Sequence, residues 1–430
     1  MINNEEYEIE YTKSPASVLA MILGCLYIFA NKLLLPLGFG TARISTLILL
    51  AFFGMSLVAN FGDMRIDRFF WIEIAFVVLT TLISAAICTN ITFVSNSFLS
   101  LTYGCIFGIG MLKTAQKVGN IRWFFYTWYF VGMIYTGYIL ITGGALVGKM
   151  GRLSATESLN SNTLGVMLLF GIFCALFLVS DYARYGSGYG IIFRMLIMII
   201  SVAMMFYIIL GTASRKSTVL AIFIIVTWFL FCFKSVIKKC PPAGTLAILT
   251  ATFILIAIIL YFYGDRFIAI SDTLQRRMEA SEDDSLTNNI RVKLIIDALK
   301  VFGKNFFFGV GWNNYRFVSA FRLYSHCTYV EVLACTGLVG ATFMIIFVSK
   351  LIKSFIAFLR LDSVEREIKT LMVIFAIMFG ILNFVQIMFY NTTLLMMFHM
   401  LLVYLLVENE KADDISQANE NVEVAENEIE

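Results

Sequence analysis

Apolar stretches of about twenty residues recur along this chain, each long enough to cross a ~30 Å hydrocarbon core as a helix. Twelve are read at 18–36, 43–61, 69–89, 97–113, 122–142, 162–180, 191–210, 217–234, 244–263, 328–350, 368–389 and 391–407. Little separates the last two around Tyr390 and Asn391, so eleven is the alternative count. The hydrophobic fraction of 60% and mean hydropathy of +0.84 lie above the ~45–50% of soluble domains. The alternation of a β-barrel is absent. The expected fold class is an all-α polytopic membrane protein.

The net charge of +3 says little, but its distribution sets an orientation. One set of short loops carries Arg65, Arg68, Lys113, Lys117, Arg122, Arg184, Arg194, Lys234, Lys238, Lys239, Lys350, Lys353, Arg360, Arg366 and Lys369, which makes 15. The opposite set carries six: Lys32, Arg43, Lys149, Arg152, Arg215 and Lys216. The positive-inside rule then places both termini in the cytoplasm and the long 264–327 loop outside.

The expected organisation is a cytoplasmic tail (1–17), nine helices (18–263), the extracytoplasmic loop (264–327), three helices (328–407) and a disordered acidic tail (408–430). The N-terminus is acidic and lacks the basic region and cleavage site of a removable signal peptide. Most of the eight cysteines fall inside expected helices without metal-type spacing and read as small packing residues. No Walker loop, dinucleotide fingerprint or HExxH motif occurs, and no metal, cofactor or nucleic-acid partner is implied.

The long loop concentrates water-compatible chemistry. It holds nine of the 32 Lys+Arg and His326, one of two histidines. After Thr287-Asn288-Asn289, a helix is expected from Ile290 or Arg291 to about Phe302, with Thr287 or Asn288 as N-cap. Its apolar stripe, Ile290, Leu294, Ala298 and Val301, suits a membrane surface. Arg291 falls in the first turn, where the helix dipole disfavours a cation but welcomes a bound anion. Two other outer loops pair arginines with small residues: Gly151-Arg152-Leu153-Ser154 and Thr212-Ala213-Ser214-Arg215-Lys216. The plainer readings are that Arg152 and Arg215 snorkel from helix ends, Arg291 anchors an amphipathic helix, and His326 is a satisfied interfacial residue. His399, inside an apolar stretch, reads as structural.

Five motifs occur in order on the same expected face: Asn162-Thr163-Leu164-Gly165, Thr212-Ala213-Ser214-Arg215-Lys216, Asn289-Ile290-Arg291, Gly309-Val310-Gly311-Trp312-Asn313-Asn314-Tyr315 and Ser325-His326-Cys327-Thr328-Tyr329-Val330-Glu331, the last leading into Thr336-Gly337-Leu338-Val339-Gly340. Together they resemble the O-antigen ligase and O-antigen polymerase superfamily of bacterial surface-polysaccharide assembly, over about residues 150–345. Family members often carry Asn or Ser after the histidine, where this chain has Cys327. The resemblance implies a GT-C-like inner-membrane glycosyltransferase taking its glycan from undecaprenyl diphosphate, without nucleotide sugar or metal. It implies a donor glycan, a sugar acceptor and the bilayer as partners, with a flippase and a chain-length regulator alongside. By position, Arg215 and Arg291 would clamp the diphosphate, with Arg152 assisting, and His326 would take the acceptor's proton.

Polymerase and ligase share these motifs and differ in acceptor; polymerase is the preferred expectation. A secondary transporter is the alternative of another class, but transporters keep ionisable residues near the midplane and show internal repeats. Here the ionisable residues gather at loop ends, and the halves show no duplication.

Overall fold

A computed structural model describes residues 14–62, 66–147, 152–157, 159–186, 188–246, 250 and 290–429, with the side chains of the last helix described to residue 417. The chain forms an all-α bundle. In order come α1 (Pro15–Phe29) with a π-helical turn (Ala30–Leu34), α2 (Ala42–Ala59), α3 (Arg68–Ile87), α4 (Ile91–Val118) and α5 (Arg122–Thr142). A small hairpin of β1 (Ala145–Val147) and β2 (Arg152–Ser154) follows, then α6 (Ser161–Tyr185), α7 (Tyr189–Gly211), α8 (Arg215–Phe231) and a short α9 (Phe233–Lys238). Beyond the undescribed stretch lie α10 (Ile290–Lys304), α11 (Tyr315–Val318), α12 (Thr328–Arg360), α13 (Arg366–Val385), a 3-10 turn (Met388–Tyr390) and α14 (Thr392–Ile429).

Ten of the described helices are long and apolar enough to cross a membrane, and each matches an expected segment. The eighth expected segment, 217–234, is α8 with the start of α9. The ninth, 244–263, falls almost entirely outside the described residues, as do residues 264–289 with the caps expected at Thr287 and Asn288.

Local chemistry sets the helix ends. The side chains of Ser14, Thr41, Asp67, Asn90 and Asn160 each accept an orphan amide of the first turn of the helix they precede. Gly119 and Gly143 end α4 and α5 in the left-handed conformation. Helix α6 is apolar all round and is packed by α5, α7, α8 and α13, as expected of a central helix.

The structure corrects three expectations. The loop after α5 contains an antiparallel hairpin, with Ala145 opposite Ser154 and Val147 opposite Arg152. The tail expected as disordered over 408–430 continues α14 as helix to Ile429. It contains no Gly or Pro and extends a helix already nucleated; Asn409 donates to the Ser354 carbonyl at 3.0 Å and Gln116 donates to Glu410 at 2.9 Å. Lastly, most of the apolar stripe of α10, expected to suit a membrane surface, is covered by protein. Leu294, Ala298 and Val301 are buried where α10 meets α12, while Ile290, Ile296 and Leu299 stay exposed.

Helix α12 is broken at Gly337, whose φ of 61° leaves the helical region. The freed backbone groups are recovered by the 306–311 segment: Val310 and Gly311 amides donate to the Ala334 and Cys335 carbonyls at 3.0 and 2.8 Å, and Leu338 and Val339 amides donate to the Phe306 and Phe307 carbonyls at 2.8 and 3.2 Å. Each such group left unpaired in hydrocarbon costs several kcal/mol, so a broken helix needs this partner strand. The approach is too close for any side chain. A Cβ on Gly309 would lie 2.3 Å from the Cys335 carbonyl carbon, and one on Gly337 2.5 Å from that of Phe307.

His399 is fully buried on α14. Its Nε2 lies 3.0 Å from Glu73 Oε1 on α3, and its Nδ1 lies 2.8 Å from the Leu395 carbonyl. Gly104 and Gly108 on α4 leave the room its ring fills. His399 thus fills a packed, hydrogen-bonded position inside the bundle.

Candidate active site at one end of the bundle

Every residue of the Trp312-Asn313-Asn314-Tyr315 motif is an anchor. Trp312 donates its amide to Ser84 Oγ at 3.0 Å and its indole N–H to Thr80 Oγ1 at 2.9 Å, both on α3. Asn314 closes a two-bond ring with the Asn90 backbone, accepting at 2.7 Å and donating at 3.2 Å. The Asn313 amide donates to the Tyr390 hydroxyl at 2.8 Å. Tyr315 donates to the Leu294 carbonyl and to Asp297 Oδ2 on α10, at 3.0 and 2.8 Å. The loop is therefore tied to α3, to the start of α4, to the turn before α14 and to α10.

On that scaffold sits His326. Its φ of 60° is rare for a side-chain-bearing residue, a conformation that costs about 1–3 kcal/mol and persists only where neighbours enforce it. The enforcement is visible. Fully buried Glu331, one turn into α12, accepts the Ser325 amide at 2.8 Å with Oε2 and the Tyr390 hydroxyl at 3.2 Å with Oε1. Ser325 Oγ donates to the Cys327 carbonyl at 3.0 Å. On the other side, Thr328 is tied to Asn383, Gln386 and Met388 at 2.8–2.9 Å. The imidazole rests against the Tyr324 ring, centroids 4.1 Å apart, and the Arg316 guanidinium lies over that same ring at 5.4 Å.

Burial is the first cause that pushes the His326 imidazolium down, to about 4; the charges of Arg291 and Lys216 push in the same direction. His326 is thus neutral at physiological pH, under the charges of two side chains from separate elements. Lys216 is itself pushed down to about 7, first by burial and then by Arg291 and Arg152. The four side chains form one electrostatic group drawn from β2, α8, α10 and the loop before α12. Arg152 is fixed by donating Nε–H to the Thr212 carbonyl at 2.9 Å and Nη2–H to Asn162 Oδ1 at 2.7 Å. Gly165 lets α6 close on this turn, since a Cβ there would meet Ser217 Oγ at 2.8 Å.

Of the residues singled out from sequence, Arg152, Arg291 and His326 are brought together. Arg215 opens α8 as an exposed residue beside Lys216, but the charges that bear on His326 are those of Arg291 and Lys216. Lys216 and Glu331 were not singled out, although both lie inside the quoted motifs. The signal for Glu331 was an ionisable residue within a membrane-length segment, which is costly unless it has a task.

Residues 200–345 match a family model, Wzy_C, described as O-antigen ligase. That span runs from within α7 past the break in α12 and includes Lys216, Arg291, His326 and Glu331; Arg152 and Asn162 lie before it. No curated protein matches the chain. The chain is thus a multi-pass membrane protein whose 200–345 segment is similar to the O-antigen ligase family.

Proposed function

We propose that the protein is a surface-polysaccharide repeat-unit polymerase, which moves a glycan from undecaprenyl diphosphate onto a sugar hydroxyl of a lipid-linked acceptor. The observation that carries this reading is an imidazole at one end of a membrane bundle on which Arg291 of α10 and Lys216 of α8 act, with Arg152 of β2 acting in turn on Lys216.

In the proposed reaction the acceptor oxygen attacks the anomeric carbon opposite the diphosphate, and the carbon–oxygen bond to the diphosphate breaks with inversion. The leaving group departs with the electron pair, while the hydroxyl proton passes to His326. Arg291, Lys216 and Arg152 offset the charge that grows on the diphosphate, the role of fixed donors in a water-poor site. Neither α8 nor α10 carries an acidic residue in its first turn, so nothing there competes with a bound anion. In the free protein the cations make His326 a weak base. A bound diphosphate offsets their field and lifts the imidazole towards its ordinary ~6.5. The donor therefore strengthens the base that uses it. Glu331 holds the histidine loop, and Arg215 borders the donor entrance.

In this reading both termini and the basic short loops face the cytoplasm of a bacterial inner membrane, and the site faces outward. Cells in which His326→Ala replaces the wild type at equal protein level are expected to accumulate single lipid-linked repeat units. The description of the matched family favours a second reading, ligase, for which the same cells would accumulate long chains still on the lipid. Normal surface polysaccharide in those cells would refute both.

A further inference from the structure

At the end of the bundle away from His326, a groove of about 1120 Å³ runs along α5 between α1 and α7. Its apolar wall extends from Val18 to Phe29 on α1, a rise of about 16 Å at 1.5 Å per residue. That is half of a ~30 Å hydrocarbon core, the depth of a single leaflet. Leu26, Trp123 and Phe130 on its rim are exposed, so the groove opens sideways rather than into the protein. A smaller hollow of about 320 Å³ adjoins it across Tyr126, Phe130 and Arg194.

The groove's polar end carries Asn120, Arg122 and Arg194. Arg122 pairs with Asp181 at 2.5 Å, but Arg184 shares that same carboxylate at 3.6 Å. Arg194 donates to the Tyr126 hydroxyl at 3.2 Å and lies 3.8 Å over the Tyr182 ring; among the described residues no carboxylate pairs with it. Glu408, which acts on Arg184, is bonded to Lys411 at 2.7 Å, and Lys239 adds a further cation by donating to the Ala183 carbonyl. Among the described residues around the groove's polar end, Arg122, Arg184, Arg194 and Lys239 outnumber Asp181 and Glu408, and they sit at the mouth of an apolar channel one leaflet deep.

We propose that this groove holds an anionic glycerophospholipid, with one acyl chain along α5 and the phosphate between Arg194 and Arg122. The site is separate from the glycosyl-transfer centre and does not rest on the function assigned to it. A zwitterionic lipid of equal chain length fills the groove equally well but carries a cation next to Arg194.

The test is native mass spectrometry of the detergent-purified full chain exposed to phosphatidylglycerol or phosphatidylcholine of identical acyl chains. Phosphatidylglycerol is expected to be retained about tenfold better, because both lipids offer the phosphate but only phosphatidylcholine sets a quaternary ammonium beside Arg194, a like-charge repulsion. Arg194→Gln should abolish that preference. Cys25→Phe, which narrows the groove and leaves the arginines in place, should lower retention of both lipids. Inorganic phosphate at millimolar concentration should not displace the bound lipid, whereas displacement would mean that the arginines bind a free anion and the groove plays no part. Equal retention of the two lipids by the wild type overturns the proposal, whether the groove stays empty or holds another occupant, and needs no variant to fold.

Discussion

At the scale of single residues, the account turns on a histidine held neutral. His326 titrates below its ordinary value, so its base form persists as pH falls through 6.5 and is lost only near 4. The acidic limb of kcat/KM is therefore expected well below pH 6. The limb of kcat, which reports the donor-bound enzyme, is expected at higher pH. Arg291→Ala removes one of the charges that depress the imidazole. It should move the kcat/KM limb upward as well as slow the reaction, a combination that mere loss of packing would not give. The linkage to stability has the matching sign. Because the unfolded chain takes up this proton first, His326 lowers folded-state stability as pH drops from about 6.5 towards 4. The two histidines then separate by readout. His399→Ala, which strands Glu73 in the bundle core, should cost about 3–5 kcal/mol of stability, seen as a lower unfolding temperature. His326→Ala should leave unfolding nearly unchanged and remove turnover.

At the scale of elements, the site depends on the broken α12 and on the 306–311 segment that repairs it. Gly337→Ala places a methyl group against backbone and forces a left-handed φ on alanine, a strain of about 1–3 kcal/mol before the clash is counted. The expected result is a chain that still inserts but has lost activity and thermal stability together. Glu331→Ala should act differently, freeing the Ser325 amide and letting the His326 loop relax. Its predicted signature is a kcat loss of about 10–100-fold with donor binding retained, since the cations of β2, α8 and α10 do not depend on Glu331. These elements also show what a sequence can and cannot disclose. The spans were legible because lipid leaves backbone polar groups only their own helix to bond with. The amphipathic period of α10 was legible too, but not its destination: Leu294, Ala298 and Val301 suit a membrane surface and a protein neighbour equally well. The Gly309 and Gly337 motifs were visible as patterns, whereas the backbone contact that requires them joins segments nearly thirty residues apart.

At the scale of the whole molecule, alternation of the spans brings the hairpin, the α7–α8 turn, α10 and the His326 loop to one end, and the anionic-lipid groove to the other. Arg152, Arg291 and His326 stand out in the sequence because water-compatible residues are scarce in so apolar a chain. Lys216 was obscured by its neighbour: Arg215 and Lys216 are adjacent, and only the turn of α8 decides which of them bears on the imidazole. Reporter fusions at the two termini should both read out on the side opposite residues 290–327, and fusions reading out on different sides would break the topology. The most direct measurement incubates purified wild type and His326→Ala, separately, with synthetic undecaprenyl-diphosphate-linked repeat units. The wild type is predicted to give a ladder of longer lipid-linked chains and the variant only starting material; equal ladders from both proteins would contradict the account.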